Sequence, residues 1–300
     1  MINLADIAIA IFAHLLNGSI SVVDKFLLTK SFKQAGAYAF WIGILSLGTL
    51  VLLPFGFAWP TFSQWLIDLS AGATFVLALF FMYKAIQAEE VSRAATIVGA
   101  SIPAITLLLA HLFLSENMKI NQMIAIIIII LGIILLTYKK TERPMRISIV
   151  FCAIFAAFLF ALSSILLKKV FIGQPFFSGL ALSRLGGVPI AALFLAWPQN
   201  RQEIFSLSEH PKSKRLGLFL GSRVAAAFGF ILVSLAVALI SPTVVNALQG
   251  IQYAFIFGLI LMLTKFWPGI LHEEVDKSTV FMKSLGIAVI ILGSVILSLT

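Results

Sequence analysis

Charged residues are scarce in this sequence, and their scarcity excludes a protein whose surface faces water. Only 11% of the 300 residues are Asp, Glu, Lys or Arg, whereas 61% are hydrophobic. The mean hydropathy is +1.08. A soluble domain is usually about half apolar and about a quarter charged. So few charges cannot cover a water-facing surface, and the chain is therefore predicted to have lipid as its solvent.

Residues for covalent or catalytic chemistry are scarce too. The single cysteine, Cys152, lies in an apolar run and excludes an internal disulfide framework. The phosphate loop GxxxxGK[ST], the zinc motif HExxH and the nucleophile motif GxSxG do not occur in the sequence. The chain is therefore predicted not to be an enzyme, and no cofactor is expected.

A metal site is not expected either. The nearest approach to one is a charged hairpin that contains His272, Glu273, Glu274 and Asp276. Because no second histidine lies nearby, we interpret this hairpin as a solvated loop, although its residue types could be imagined as metal ligands.

Ten apolar runs approach the length of about 20 residues that a helix needs to cross a bilayer. The charged stretch Lys139–Arg146 contains the helix-breaking Pro144 and separates five runs from five others. The predicted spans lie near 4–28, 36–57, 65–87, 92–113, 119–138, 148–169, 177–197, 215–239, 243–264 and 282–299.

Basic residues concentrate in alternate connectors between these spans. The net charge of +9 would suggest nucleic acid as a partner of a soluble protein. Here the Lys and Arg residues flank membrane spans, where they set topology and meet anionic headgroups, so no nucleic acid is expected. Taken literally, the positive-inside rule puts these connectors in the cytoplasm and both termini outside.

The second half of the chain repeats residues of the first half in matching registers. An odd number of spans in each half requires the two copies to lie in opposite orientations. We therefore predict an all-α polytopic membrane protein of about ten transmembrane helices in two inverted five-helix repeats, residues 1–140 and 147–300. The matching residues are Ala13, Ser19 and Lys25 with Ala157, Ser163 and Lys169; Ala85, Thr96 and Gly99 with Ala236, Ala247 and Gly250; and Gly132 with Gly293.

Several segments of the first half resemble a known family. Tyr83–Gln87, Val91–Ala95 and Ile102–Pro103 resemble the fourth-helix entrance of EamA-type members of the drug/metabolite transporter superfamily. Leu114–Glu116 and Gln122–Gly132 resemble the family's glutamate-bearing hairpin and closing helix. The resemblance implies two inverted five-helix repeats and transport of amino acids, nucleotide-linked sugars, other metabolites or drugs. Family members usually keep both termini in the cytoplasm, opposite to the charge bias, so the orientation stays open.

Polar residues recur at helical spacing in the first, fourth and ninth spans. Such stripes are costly in lipid unless they face protein or a wet cavity. They predict residues that line a substrate pathway, and the alternative is hydrogen bonding between helices. The stripes comprise His14, Asn17, Gly18, Ser21, Asp24 and Lys25; Ser92, Thr96, Gly99 and Pro103, the last of which suits a kink or a cavity wall; and Asn246, Gln249, Gly250 and Tyr253.

The charges inside the spans give two alternatives. Arg184 and Arg223 lie well inside their spans, and an arginine fork suits a carboxylate or a phosphate. Either residue could bind an anionic group of the substrate, or it could pair with Asp24 or Asp68 and hold helices together. By contrast, Lys168 lies near a span end, where we expect its amine to reach the interface.

Small residues predict close packing of the eighth span: Gly217 and Gly221 are four residues apart, and Ala225, Ala226, Ala227 and Gly229 let this helix approach its neighbours closely.

The function predicted from these features is secondary transport, by an exporter or exchanger of a small polar metabolite such as an amino acid. The alternatives are a carrier of lipid-linked or cationic amphipathic cargo and a membrane accessory subunit without a solute pathway. The expected partners are a small-molecule substrate, the lipid bilayer and a coupling ion or counter-solute. We expect a monomer or homodimer in the plasma or inner membrane.

Overall fold

The computed structural model describes residues 3–30, 34–88, 91–137, 146–209, 214–266 and 277–298. These residues form twelve α-helices and two 3-10 helices, Ser46–Phe55 and Phe194–Ala196, and no β-strand occurs among them. The α-helices are α1 (Leu4–Lys30), α2 (Ala35–Leu45), α3 (Phe62–Ala88), α4 (Val91–Leu114), α5 (Ile120–Thr137), α6 (Ile147–Gly173), α7 (Phe176–Leu185), α8 (Gly187–Leu193), α9 (Pro198–Glu209), α10 (Lys214–Leu239), α11 (Pro242–Phe266) and α12 (Lys277–Ser298).

The all-helical prediction is confirmed for the described residues, and most of the helices are apolar. Large side chains such as Phe62, Ile147 and Phe228 are exposed on helix surfaces, an arrangement that water penalises and lipid does not. The number of ten spans stays a prediction. Within the described residues, seven segments have the length and hydropathy of a span: Leu4–Asp24, Ala35–Phe55, Phe62–Ala88, Ile97–Leu114, Ile147–Gly173, Phe176–Ala196 and Gly217–Leu239; Ile120–Leu135 and Phe281–Leu297 are shorter apolar helices.

The predicted spans at 36–57 and 177–197 are not continuous α-helices. The first becomes a 3-10 helix halfway along its length, whereas the second is divided into α7 and α8 at Gly186. Pro189 has no N–H group, so the carbonyl of Leu185 loses its usual helical donor at that point. The division of the seventh span follows from this missing hydrogen bond.

The connector between the predicted spans 177–197 and 215–239 contains a short polar helix, α9. This helix packs on α2, because the side chain of Asn200 fills the space beside Gly36, where a Cβ would overlap its amide. Asn200 Nδ2 also donates to the carbonyl oxygen of Phe194 at 3.2 Å. The described part of the basic region after the seventh span thus packs against the helix bundle.

Helix α3 crosses the α7–α8 junction with its backbone almost in contact. A Cβ on Gly72 would overlap the carbonyl oxygen of Ser183, and a Cβ on Gly186 would overlap the carbonyl oxygen of Leu69. On another side of α3, Ser163 Oγ donates to the carbonyl oxygen of Ala71 at 2.9 Å. These contacts hold α3, α6 and α7 together without large side chains between them.

The packing predicted at Gly217 and Gly221 is wrong. Both glycines are exposed on α10, and a Cβ on either would meet no heavy atom of the described residues within 4 Å. A spacing of four places two small residues on one face of a helix, but it does not determine whether another helix lies against that face.

Helices α5 and α12 pack against each other through one glycine each. A Cβ on Gly132 would lie 2.7 Å from Ile290 Cγ1 and 2.9 Å from the carbonyl oxygen of Gly286. A Cβ on Gly293 would lie 2.7 Å from Ile129 Cγ1 and 2.9 Å from the carbonyl oxygen of Ala125. The two helices therefore approach most closely where these glycines face the partner backbone.

Lys168 bonds to the end of α10. Its Nζ donates to the carbonyl oxygens of Ala238 at 2.9 Å and Ile240 at 3.1 Å, at the end of α10. Close by in sequence, Ser241 Oγ donates to Glu116 Oε2 at 2.6 Å. The glutamate of the predicted hairpin thus joins the α4–α5 loop to the turn between α10 and α11.

Candidate functional site

A cavity of about 810 Å³ lies between helices of both halves of the chain. Its walls come from α1, α2, α3, α4, α6, α7, α10, α11, α12 and the 3-10 helix Ser46–Phe55. Most lining side chains are aliphatic or aromatic, and polar groups are interspersed among them. Nine of the residues predicted to line a pathway do line this cavity: His14, Asn17, Ser21, Asp24, Arg184, Arg223, Asn246, Gln249 and Tyr253.

Two predicted pathway residues are not placed there. Pro103 is buried within α4 and is not part of the cavity wall, to which its neighbour Ile102 contributes instead. Helix α4 also runs through Pro103 as one α-helix. The side chain of Thr96 lies outside the part of the chain that the structure describes, as do Lys25 and the hairpin residues 272–276.

The polar stripe of α1 is joined to α11 by hydrogen bonds. His14 is buried, and its Nε2 donates to the carbonyl oxygen of Val245 at 2.9 Å, while its Nδ1 lies 3.4 Å from Gln252 Oε1. Gln252 Nε2 donates to Ser21 Oγ at 3.4 Å. These bonds are the hydrogen bonds between helices that were the alternative to a pathway lining. The same side chains also face the cavity.

Asn17 packs against α10 at Gly229. A Cβ on Gly229 would overlap Asn17 Oδ1. Ser21 Oγ donates to the carbonyl oxygen of Asn17 at 2.8 Å and so does not compete for this amide. Asn17 therefore presents an amide to the cavity at the contact between α1 and α10.

Helix α11 contributes amide and phenol groups opposite α4. Asn246 Nδ2 donates to Thr106 Oγ1 at 2.9 Å, and Thr106 Oγ1 donates to the carbonyl oxygen of Ile102 at 2.7 Å. The ring of Tyr253 occupies the space beside Gly99, where a Cβ would lie 2.5 Å from ring carbons. The predicted polar lines of the fourth and ninth spans thus face each other.

Arg223 forms an ion pair with Asp24. This pairing is the second of the two alternatives predicted, in which the arginine holds helices together. Its Nη2 bonds to Asp24 Oδ1, and Tyr38 Oη donates to the same oxygen at 2.8 Å. The guanidinium carbon lies 5.6 Å from the ring centre of Tyr38 and 5.5 Å from that of Phe219. The Asp24 carboxylate therefore has a cation and a phenol as partners, and this group joins α1, α2 and α10.

Arg184 is held by aromatic rings instead of a carboxylate. Only 2% of the residue is exposed, and its guanidinium carbon lies 4.7 Å from the ring centre of Phe75 and 4.1 Å from that of Phe230. Its Nε and Nη2 are buried and have no hydrogen-bond partner among the described residues. Arg184 thus brings a positive charge to the cavity wall, and its Nε and Nη2 donors are unused among the described residues.

The other acid inside the spans, Asp68, is bound elsewhere. Its two carboxylate oxygens accept from Gln174 Nε2 at 2.9 and 3.0 Å, and Asp68 is fully buried outside the cavity wall. Asp68 therefore does not form the predicted alternative ion pair with Arg184.

Four important residues of the cavity were not predicted from the sequence. Phe75 and Phe230 enclose Arg184, Gln252 bridges His14 and Ser21, and Lys283 lies 4.7 Å from the ring centre of Phe257. Gln252 continues the polar line of α11 and could have been found from its helical spacing. The two phenylalanines are indistinguishable in sequence from lipid-facing ones.

Comparison with known proteins supports the predicted resemblance. Residues 5–138 match the EamA-like transporter family. The predicted resemblance is therefore confirmed over these residues, and the family that they match is one of transporters. No curated protein sequence matches the chain.

Solved structures share the fold. There are 29 matching chains, and one of them, described only as "Crystal structure of protein", has a TM-score of 0.67 and 14% sequence identity. The similarity covers 98% of this chain and 98% of that chain.

Proposed function

We propose that this chain is a secondary transporter, an exporter or exchanger, that carries a small metabolite with an anionic group through the cavity. The observation that supports this proposal is the buried guanidinium of Arg184 in the cavity wall, which lacks a carboxylate partner among the described residues. A buried charge without a partner destabilises a protein, and ionisable groups inside membranes are a mark of substrate or ion pathways. An anionic substrate would supply the missing partner.

The unused donors of Arg184 suit a carboxylate. The Nε–H and an Nη2–H of a guanidinium point the same way and form a fork that matches two carboxylate oxygens. An amino acid would place its carboxylate there, and the amides of Asn246 and Gln249 could bind its other polar groups.

The alternative functions fit the cavity less well. Cationic amphipathic cargo would enter a cavity whose wall already carries the positive charge of Arg184. An accessory subunit without a solute pathway would have no use for a cavity of this size with polar groups in its wall. Lipid-linked cargo with an anionic headgroup is compatible with Arg184 and stays an alternative.

We also propose that residues 1–140 and 147–300 are inverted repeats of five helices. The contacts of α5 with α12 support this proposal, because they are reciprocal: Gly132 faces Gly286 and Ile290, and Gly293 faces Ala125 and Ile129. Such exchange of equivalent positions is the signature of a two-fold relation. Contacts move backwards along α12 as they move forwards along α5, so the helices are antiparallel, and a two-fold axis between them lies in the membrane plane.

If the repeats are inverted, equivalent connectors of the two halves lie on opposite sides of the membrane. Ser63 and Ser206 are exposed residues near the connectors that follow the second and seventh spans. In a chain with Cys152 replaced by serine, Ser63→Cys and Ser206→Cys should react with a membrane-impermeant maleimide from opposite sides of intact vesicles. Reaction of both from the same side would contradict the inversion.

Transport would use the gradient of an ion or counter-solute, since the sequence contains no GxxxxGK[ST] phosphate loop. We place the protein in the plasma or inner membrane as a monomer or homodimer.

The proposed function predicts a specific loss on replacing Arg184. In proteoliposomes tested with a panel of small anions and amino acids, Arg184→Gln should weaken substrate binding by about 1.5–3 kcal/mol, the usual contribution of a hydrogen bond to a charged group. Arg201→Gln, on the exposed face of α9, is the matched control and should transport normally. Equal transport by Arg184→Gln and the unaltered protein would refute the proposal.

A further inference from the structure

The carboxylates in the cavity wall limit the chemical class of substrate that it can bind. Among the described residues of the cavity wall, Asp24 is the one carboxylate, and it already binds Arg223 and Tyr38. A substrate ammonium group would meet only neutral oxygens, or would have to break this ion pair. The cavity thus has an unused cation in Arg184 and no unused anion among its described lining residues.

The surroundings of Arg184 are aromatic. Phe75 lies 5.5 Å from Phe230 and 6.1 Å from Phe160 between ring centres, and all three rings line the cavity. Most of the remaining wall is aliphatic. A bound molecule whose charged end reaches Arg184 must therefore place its other end against apolar surface, which favours an apolar body, aromatic above all.

The size of the cavity fits the same description. A volume of about 810 Å³ lies in the range of clefts that enclose drug-sized ligands. A small zwitterion would leave most of this wall in contact with water. Burial of a larger apolar body would remove that wall from water and contribute to affinity.

We infer that, if the proposed transport function is correct, its substrate is an amphipathic organic carboxylate with an aromatic or other apolar body and without an ammonium group. The carboxylate binds the Nε and Nη2 fork of Arg184, and the body packs on the rings of Phe75, Phe160 and Phe230. Because both donors are buried, the substrate must displace the side chains that cover them. Amino acids and cationic amphiphiles bind more weakly, because the cavity offers no free carboxylate to their ammonium groups.

Four ligands of almost the same shape test this inference on the unaltered full-length protein. They are 3-phenylpropionate, L-phenylalanine, phenethylamine and 3-phenylpropanamide, which carry a carboxylate, both charges, an ammonium group and neither charge. Dissociation constants are measured by tryptophan fluorescence of the purified protein in nanodiscs. We expect 3-phenylpropionate to bind at least tenfold more tightly than L-phenylalanine, and phenethylamine and the amide to bind more weakly still. Acetate, which has the charge without the body, should not compete.

Two variants locate the binding site. Arg184→Gln should weaken 3-phenylpropionate binding at least tenfold, and Arg184→Lys, which keeps the charge but not the fork, should weaken it by a smaller factor. Arg201→Gln should bind like the unaltered protein. Should Arg184→Gln not fold, the lysine variant and the four-ligand comparison decide the question.

The possible failures are distinguishable. L-phenylalanine binding as tightly as 3-phenylpropionate, with both weakened by Arg184→Gln, would overturn the inference and leave the proposed transporter intact. Tight binding of phenethylamine, or absence of binding by all four ligands, would also overturn it. Whether the chain transports a substrate at all is tested separately, by transport of the wider panel in proteoliposomes.

Discussion

Replacing Gly186 by alanine is expected to destabilise the protein by on the order of 3 kcal/mol, the upper end of the range for overpacked sites. The new Cβ would overlap the carbonyl oxygen of Leu69 and lie 2.5 Å from its carbonyl carbon. Both are backbone atoms of α3, which cannot turn aside as a flexible side chain can. The whole of α3 would have to move away from the α7–α8 junction. Thermal unfolding of the purified protein in detergent measures the effect.

Gly217→Ala is the matched control for this variant. Its Cβ meets no described heavy atom within 4 Å, and alanine favours a helix interior over glycine by about 0.5–1 kcal/mol. The control should therefore unfold at the same temperature as the unaltered protein or slightly above it. If Gly186→Ala were equally harmless, α3 and the α7–α8 junction could not lie as close together as the structure has them.

The same substitution should also reduce ligand binding. Helix α3 carries Phe75 and α7 carries Arg184, and the two side chains are in contact only because the helices approach closely near Gly72 and Gly186. Separation of the helices would withdraw one ring from the guanidinium.

The positions of the helices could be predicted because hydropathy reports directly on contact with lipid. Runs of apolar residues in the sequence coincide with the described helices to within a few residues, except at the breaks in the second and seventh spans. Those breaks depend on proline and on helix contacts, which a hydropathy average does not register. The break at Gly186 could have been suspected from Pro189, three residues further on.

The polar stripe of α1 could be predicted because a single helix carries it. His14, Asn17, Ser21 and Asp24 recur at helical spacing, so one period sufficed to place them on one face. Their partners could not be predicted, because Val245 and Gln252 lie more than 200 residues away and nothing in a single sequence connects them.

The roles of the two arginines could not be predicted from the sequence either. In the sequence, Arg184 and Arg223 carry the same charge and lie at similar depths, so either could have bound the substrate or formed an ion pair. Helix packing distinguishes them, since it brings Asp24 and Tyr38 to Arg223 but Phe75 and Phe230 to Arg184. The assignment of roles therefore needs tertiary structure.

The second large effect is expected at the ion pair between Arg223 and Asp24. Arg223→Gln removes the cation and leaves the Asp24 carboxylate, only 16% exposed, with Tyr38 as its described partner. Breaking a buried pair from one side costs about 3–5 kcal/mol of stability, because the remaining charge is uncompensated. The melting temperature of Arg223→Gln should therefore fall strongly. Arg184→Gln is the matched comparison: it strands no carboxylate of the described residues, so stability should change little while ligand binding weakens.

A second substitution separates the loss of a charge partner from the loss of packing. Asp24→Asn removes the stranded charge and keeps the shape of the side chain, and Tyr38 can still donate to its amide oxygen. The double variant Arg223→Gln with Asp24→Asn should therefore recover most of the stability that Arg223→Gln loses, which a double-mutant cycle measures as a coupling between the two sites. If the double variant is no more stable than Arg223→Gln alone, the guanidinium stabilises the protein through its contacts with the rings of Tyr38 and Phe219, and not through the carboxylate.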